Sequence, residues 1–220
     1  MSHDASAPTH LQHHYHTAEQ QASAAKLGMW LFLAQEILFF SGLFVAYGTY
    51  RFLYPGTFLH AHEHLSVPMG AANTVILITS SLTMALAVRA AQTSDQKRLR
   101  LNLAFTFLLA GAFLVVKTFE YSAKFHHGLL PGRFYTGGGV EGIAEWLSQP
   151  QMFFGIYFVM TGLHGLHVIA GMGVIAWVFL RARRGEFSAA YYTPVENVGL
   201  YWHLVDLIWI FLFPLLYLVK

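Results

Sequence analysis

Five long apolar stretches interrupt an otherwise polar chain, at residues 28–52, about 71–91, about 101–121, 152–180 and about 197–219. Each is near or above the ~20 residues that carry a helix across a hydrocarbon core. Barrel strands would be about half as long and would alternate in polarity. Inside lipid the backbone must satisfy its own hydrogen bonds, which leaves helices. The pattern predicts an all-α membrane protein with five transmembrane helices, occupying residues 27–220. Residues 1–26 form a polar, His-rich N-terminal extension, expected to be a solvated tail ending in a short interfacial turn. It has no basic n-region and no short apolar core, so it does not read as a signal peptide. The connections carry loop punctuation: YPGTFLHAHEHLSVPMG, QTSDQKR, SAKFHHGLLPGRFYTGGGVEGIAEWLSQP and RARRGEFSAAYYTPVE. The triple glycine at 137–139 precedes no Lys-Ser or Lys-Thr pair and reads as a turn, not a phosphate loop.

Composition agrees with the pattern. The chain is 55% hydrophobic and 11% charged, with mean hydropathy +0.47, where an ordinary soluble domain is roughly 25% charged. The absence of cysteine excludes disulfides, thiolate metal sites and cysteine nucleophiles. A net charge of +2 is too small to imply a nucleic-acid partner. Basic residues sort by side: Lys26, Arg89, Lys97, Arg98, Arg100, Arg181, Arg183 and Arg184 share the side of the N-terminus, and Arg51, Lys124, Arg133 and Lys220 lie opposite. By the positive-inside rule this predicts a cytoplasmic N-terminus and a periplasmic C-terminus.

Several polar residues sit where lipid makes them expensive. Glu36 lies nine residues into the first span, ~13 Å deep at 1.5 Å per residue. Its own helix offers only the apolar collar Met29, Phe32, Leu33, Phe40, Leu43 and Tyr47, so it needs a polar partner elsewhere or the neutral form. Gly28, Gln35, Gly42 and Thr49 recur every seven residues beside it, a stripe expected to meet another helix. In the fourth span His164, His167 and Gly171 share a face, and Gly155, Gly162 and Gly165 share another. Glycine on both sides predicts that this helix is central. In the fifth span His203 and Asp206 share a face, Asp206 lies at the depth of Glu36, and Pro214 predicts a kink. Glu36, His164, His167, His203 and Asp206 therefore form a candidate buried polar network, with Glu36 expected to bond His167 in preference to His164. Lys117, Glu120 and Lys124 form a candidate charge group near the outer interface, where simple anchoring is an equal alternative.

A structural hydrogen-bond network and a proton path are both open for these groups. Haem ligation is disfavoured, because only one ragged layer of histidines is present. Zinc at His60 and His64 lacks further ligands, so HAHEH reads as a wet loop. An autonomous transporter would be expected to show inverted repeats, and none is apparent.

GMWLFLAQEILFFSGLFVAY, FEYSAKFHHGLLPG, YFVMTGLHGLHVIAGMGVIAWVFLR and VENVGLYWHLVDLIWIFLF resemble, in order and spacing, subunit III of the haem–copper terminal oxidases. The resemblance runs over residues 26–218. It implies a non-catalytic subunit of a bacterial inner-membrane complex that reduces O₂ and translocates protons. This chain would bind no metal or haem. Haems and copper would lie in partner subunits I and II, and a small subunit IV or a respiratory supercomplex would be further partners. The family packs on subunit I, holds phospholipid and sustains proton uptake. Its reactive membrane glutamate matches Glu36, its histidine pair matches His164 and His167, and the pair in its last helix matches His203 and Asp206. Five spans rather than seven match the bacterial form. The resemblance points to the cytochrome c oxidase type, with subunit III of a quinol oxidase and the related accessory subunit of nitric oxide reductases as alternatives.

Overall fold

The computed structural model describes residues 11–130 and 151–219. The triple glycine at 137–139, Arg133 and Lys220 lie outside the described residues. Among the described residues six α-helices follow in order: α1 (Ala18–Leu53), α2 (Pro55–Ala61), α3 (Val67–Gln92), α4 (Gln96–His126), α5 (Gln151–Arg183) and α6 (Thr193–Tyr217), with a 3₁₀ turn, His62–His64, after α2. Five of them, all but α2, are long and apolar enough to cross a membrane, as expected.

The helices outrun the apolar windows that announced them. α1 begins at Ala18, ten residues before the apolar stretch. AEQQASAAK is polar but rich in strong helix formers, and Thr17 caps it by accepting the Gln20 amide at 3.1 Å. The last nine residues of the expected tail, Ala18–Lys26, are therefore helix. α4 likewise begins at Gln96 behind an Asp95 cap that accepts the Arg98 amide at 3.0 Å. It continues to His126, and Gly128 turns the chain away with φ 63°. The HAHEH segment is not an open loop but the end of α2 and the 3₁₀ turn.

The centre of the bundle is α6, not the fourth span. Half of its apolar window is buried, against 28% for α5 and 17% for α1. It packs on α3, α5 and α1, while α3 and α4 form the most extensive antiparallel pair. The reason is side-chain volume. Trp202, fully buried, and Phe213 need space that glycines on the neighbouring helices supply. A Cβ at Gly171 would stand 2.7 Å from the Trp202 ring, and one at Gly70 would stand 2.7 Å from the Phe213 ring. By contrast, Gly28 and Gly42 face nothing within 4 Å, and Gly165 likewise. The α1 stripe therefore marks no close helix contact among the described residues.

Indole and hydroxyl bonds then fix the rotation of each helix. Trp202 donates to Ser80 at 2.9 Å and Trp209 to Thr74 at 3.1 Å, joining α6 to α3. Thr83 and Thr106 join α3 to α4 at 2.8 Å, and Tyr121 and Thr161 join α4 to α5 at 2.6 Å. Tyr47 donates to the Leu215 carbonyl and so ties α1 to the last turn of α6, beyond Pro214. α6 stays helical through Pro214.

Candidate functional site

The polar residues singled out from the sequence are all placed, but they form separate groups rather than one network. Three of those groups, and one solitary histidine, account for every candidate.

The first group belongs to α4. Lys117 and Glu120, one turn apart, point into the protein with 7% and 1% exposure. The Lys117 ammonium donates to Glu120 Oε2, the Tyr157 hydroxyl and the Tyr217 hydroxyl, each at 3.0 Å. Tyr157 and Tyr217 in turn donate to Glu120 Oε1 at 2.9 and 2.6 Å. All three ammonium protons and both carboxylate oxygens are thus engaged. The rings of Tyr157, Tyr121, Trp209 and Tyr217 surround the ammonium at 5.0–5.7 Å from their centroids, adding cation–π attraction. Lys124 donates to the His64 carbonyl and holds the 3₁₀ turn against α4. All three residues are buried within the protein, and Lys117 and Glu120 lock α4, α5 and α6 together. Tyr157 and Tyr217 were missed in the sequence because nothing in one helix's periodicity names its partners on another.

The second group joins α1 to α5. Glu36 Oε2 lies 3.0 Å from His167 Nε2, the pairing expected from the sequence. His167 Nδ1 lies 2.8 Å from the Leu163 carbonyl, which only accepts, so Nδ1 carries a proton. The contact with Glu36 therefore holds one shared proton, as neutral acid and imidazole or as carboxylate and imidazolium. Either form is net neutral. Phe40 sits edge-on to the imidazole at 5.0 Å, and Tyr201 donates to the His167 carbonyl at 2.9 Å. α1 packs on α6 and α2 but not closely on α5. Apolar grooves open along the α1–α5 seam on both sides of the pair. One, about 650 Å³, is lined by Leu43, Ala46, Gly155, Ile156 and Val159. The other, about 340 Å³, is lined by Met29, Phe32, Ala170, Val174 and Tyr201. The Glu36–His167 bond clasps the seam between them.

The third group faces outward between α3 and α6. Ser81 Oγ and His203 Nδ1 are 2.7 Å apart. Asp206 is 3% exposed, and neither carboxyl oxygen reaches hydrogen-bonding geometry with a described residue. Ser81 neighbours the carboxyl, but one hydroxyl carries one proton. Whichever of Ser81 and His203 donates in their own bond, that one proton reaches at most one carboxyl oxygen and leaves the other unmet.

His164 joins none of these. It is fully buried, tilted on Trp209 at 5.3 Å and edge-on to Phe113 at 5.5 Å, and neither nitrogen has a partner among the described residues. It fills the aromatic core beside Lys117. Among the described residues no three histidine or carboxylate side chains converge as metal ligands.

Comparison with known proteins gives a family for this geometry. The family profile described as cytochrome c oxidase subunit III matches residues 3–152 and 147–220. A cytochrome c oxidase subunit 3 of Corynebacterium diphtheriae is 33% identical over 205 residues, covering 92% of this chain and 92% of the relative. The cytochrome c oxidase subunit 3 of Synechocystis is 33% identical over 193 residues, covering 87% of this chain and 74% of the relative. That of Thermostichus vulcanus is 34% identical over 195 residues, covering 88% and 86%.

Proposed function

Because the chain belongs to the cytochrome c oxidase subunit III family, we propose that it is the metal-free third subunit of a bacterial haem–copper oxidase. It sits in the cytoplasmic membrane with its N-terminus inside, packs on subunit I, and serves an O₂-reducing, proton-pumping complex whose haems and copper belong to partner subunits. Its work is stability, lipid binding and support of proton uptake.

The α1–α5 seam carries this reading. Two apolar grooves, open to the bilayer and separated by one net-neutral polar bond, suit acyl chains along a helix pair that does not close on itself. Glu36–His167 keeps α1 attached while leaving that space open. The wholly satisfied Lys117–Glu120 group has no spare valence and serves as the internal lock.

The experiment is purification of the oxidase through a tag on this chain, for the native sequence and for Glu36→Ala. Both preparations are expected to carry the same haem spectrum. The variant is expected to hold less phospholipid and to lose activity sooner over repeated turnovers. If the variant chain remains bound but the haem spectrum disappears, the non-catalytic assignment is wrong. Oxidation of cytochrome c or of quinol by the same preparation separates the two kinds of oxidase, and nitric oxide consumption separates the reductase. Proton or solute flux from the chain reconstituted alone would instead make it a transporter.

A further inference from the structure

Asp206 stands thirteen residues from Thr193 and eleven from Tyr217, hence ~20 Å and ~17 Å from the ends of α6 at 1.5 Å per residue. Ser81 occupies the same level of α3, fourteen residues from Val67 and eleven from Gln92, hence ~21 Å and ~17 Å from its ends. The unmet carboxyl therefore lies near the middle of a hydrocarbon core about 30 Å thick. It lines a groove of about 370 Å³ whose rims are Ile78 and Leu82 on α3 and Leu207 and Ile210 on α6. Those four side chains are 45–59% exposed, a continuous apolar surface with one buried acid at its floor. A buried polar group without a partner is expensive, and more so where no water reaches it.

The depth decides what completes it. Lipid headgroups lie at the two ends of the helix, out of reach, and acyl chains carry no donor. A second copy of this chain, docked about a two-fold axis along the membrane normal, would set Asp206 against Asp206, with Ser81 and His203 already engaged with each other. A donor at this level has to come from a different polypeptide that crosses the membrane beside α3 and α6. We propose that the α3–α6 groove receives a transmembrane helix of another oxidase subunit, and that this helix presents a hydrogen-bond donor to Asp206 between the apolar rims. The occupant is then an apolar helix with one hydroxyl, amide, indole or basic side chain at mid-membrane depth. The α1–α5 seam lacks that demand, because its carboxyl is already met by His167.

The inference rests on the reading of the chain as an oxidase subunit. Haem co-purified with the tagged chain tests that reading, and a groove adduct tests this one. A photo-crosslinking phenylalanine analogue is placed at Leu82, with the same probe at Leu38 of α1, 73% exposed, as control. The intact complex is irradiated in its native membrane, purified and mapped by mass spectrometry. The Leu82 probe is expected to bond a transmembrane peptide of a haem-bearing subunit within one helical turn of a donor side chain. Asp206→Leu, with Asp206→Val carried alongside in case the larger side chain prevents accumulation, is expected to lower that adduct about three- to tenfold while the Leu38 product is unchanged. An adduct with lipid, an adduct with a second copy, no adduct, or an adduct indifferent to both substitutions would each overturn the proposal. If haem co-purifies in such a case, the oxidase reading stands and only the groove assignment falls.

Discussion

The α4 charge group and the α6 carboxyl occupy the same bundle under opposite terms. Lys117 and Glu120 are buried with every proton and lone-pair direction that matters in use. Asp206 is buried as deeply, with at least one oxygen unmet. Hydrocarbon penalises an unpaired dipole and, far more heavily, an unpaired ion, so burial alone does not separate structure from interaction surface. Satisfaction does. A group whose valences close within the chain belongs to the chain's own fold; an open valence enclosed by the core, as at His164, is a packing cost, whereas an open carboxyl on the floor of an exposed groove, as at Asp206, is where a partner can bind.

That comparison breaks most visibly at Lys117. Removing one member of a buried pair leaves an uncompensated charge, so Lys117→Met and Glu120→Leu should each destabilise the folded chain by about 3–5 kcal/mol. The double variant should lie closer to the native protein than either single one, because the Tyr157 and Tyr217 hydroxyls, 3.5 Å apart, then have each other. Thermal unfolding in detergent, followed by tryptophan fluorescence from the adjacent Trp209, measures all three. Equal losses for the singles and the double would mean that the group acts through packing and not through charge.

Asp206→Leu should move the other way. In the detergent-extracted chain it removes an unsatisfied buried group, so unfolding should become harder by about 1–3 kcal/mol, whereas the assembled complex should be weakened. Opposite signs in the two preparations are the signature of an incomplete site, and the same sign in both would erase the distinction drawn between the two regions.

Glu36 stands between them, closed by one bond to another helix of the same chain. Glu36→Gln keeps a donor for His167 Nε2 and should change stability by less than about 1 kcal/mol, while Glu36→Ala should lose about 1–3 kcal/mol. Spin labels at Ala46 and Val159, on the two walls of the larger groove, should report a wider α1–α5 distance in the alanine variant and an unchanged one in the glutamine variant.

What could be read from the sequence follows the same division. Hydropathy registers the membrane, so the five spans and the depths of Glu36 and Asp206 were legible. It does not register helix propensity, and the start of α1 at Ala18 and the continuation of α4 to His126 were hidden for that reason. The Glu36–His167 bond was legible because a lone carboxyl needs a partner and His167 shares a face with Gly171. The partners of Lys117 were not, since Tyr157 and Tyr217 lie on other helices. When a helix is apolar all round, no moment tells which face turns inward. The central place of α6 was missed for a related reason. Glycine spacing marks where a helix is narrow, but a close approach also needs a large side chain opposite, and Trp202 supplied it at Gly171 only.

The smallest effect sits outside the spans, at the turn that Lys124 holds. Burial, and then the Lys124 ammonium, keep the His64 imidazole below its ordinary 6.5, with Glu63 opposing and His127 adding slightly to the shift. The protonated form is therefore disfavoured in the folded chain relative to the unfolded one. For a depressed value the associated stability is present above pH 6.5 and is lost as the pH falls through the lowered folded value. Protonation would set an imidazolium beside Lys124 and loosen the contact between the 3₁₀ turn and α4. The native protein should thus unfold more readily with acidification below that point, and His64→Gln, which keeps the backbone carbonyl that Lys124 uses, should flatten this part of the profile while leaving stability at neutral pH unchanged. Hydrogen exchange of the amides in His62–His64 should show the same pH dependence, and Lys117–Glu120 should show none of it. A turn that opens with acid while the neighbouring charge group stays closed would confirm that the two share α4 but not a common fate.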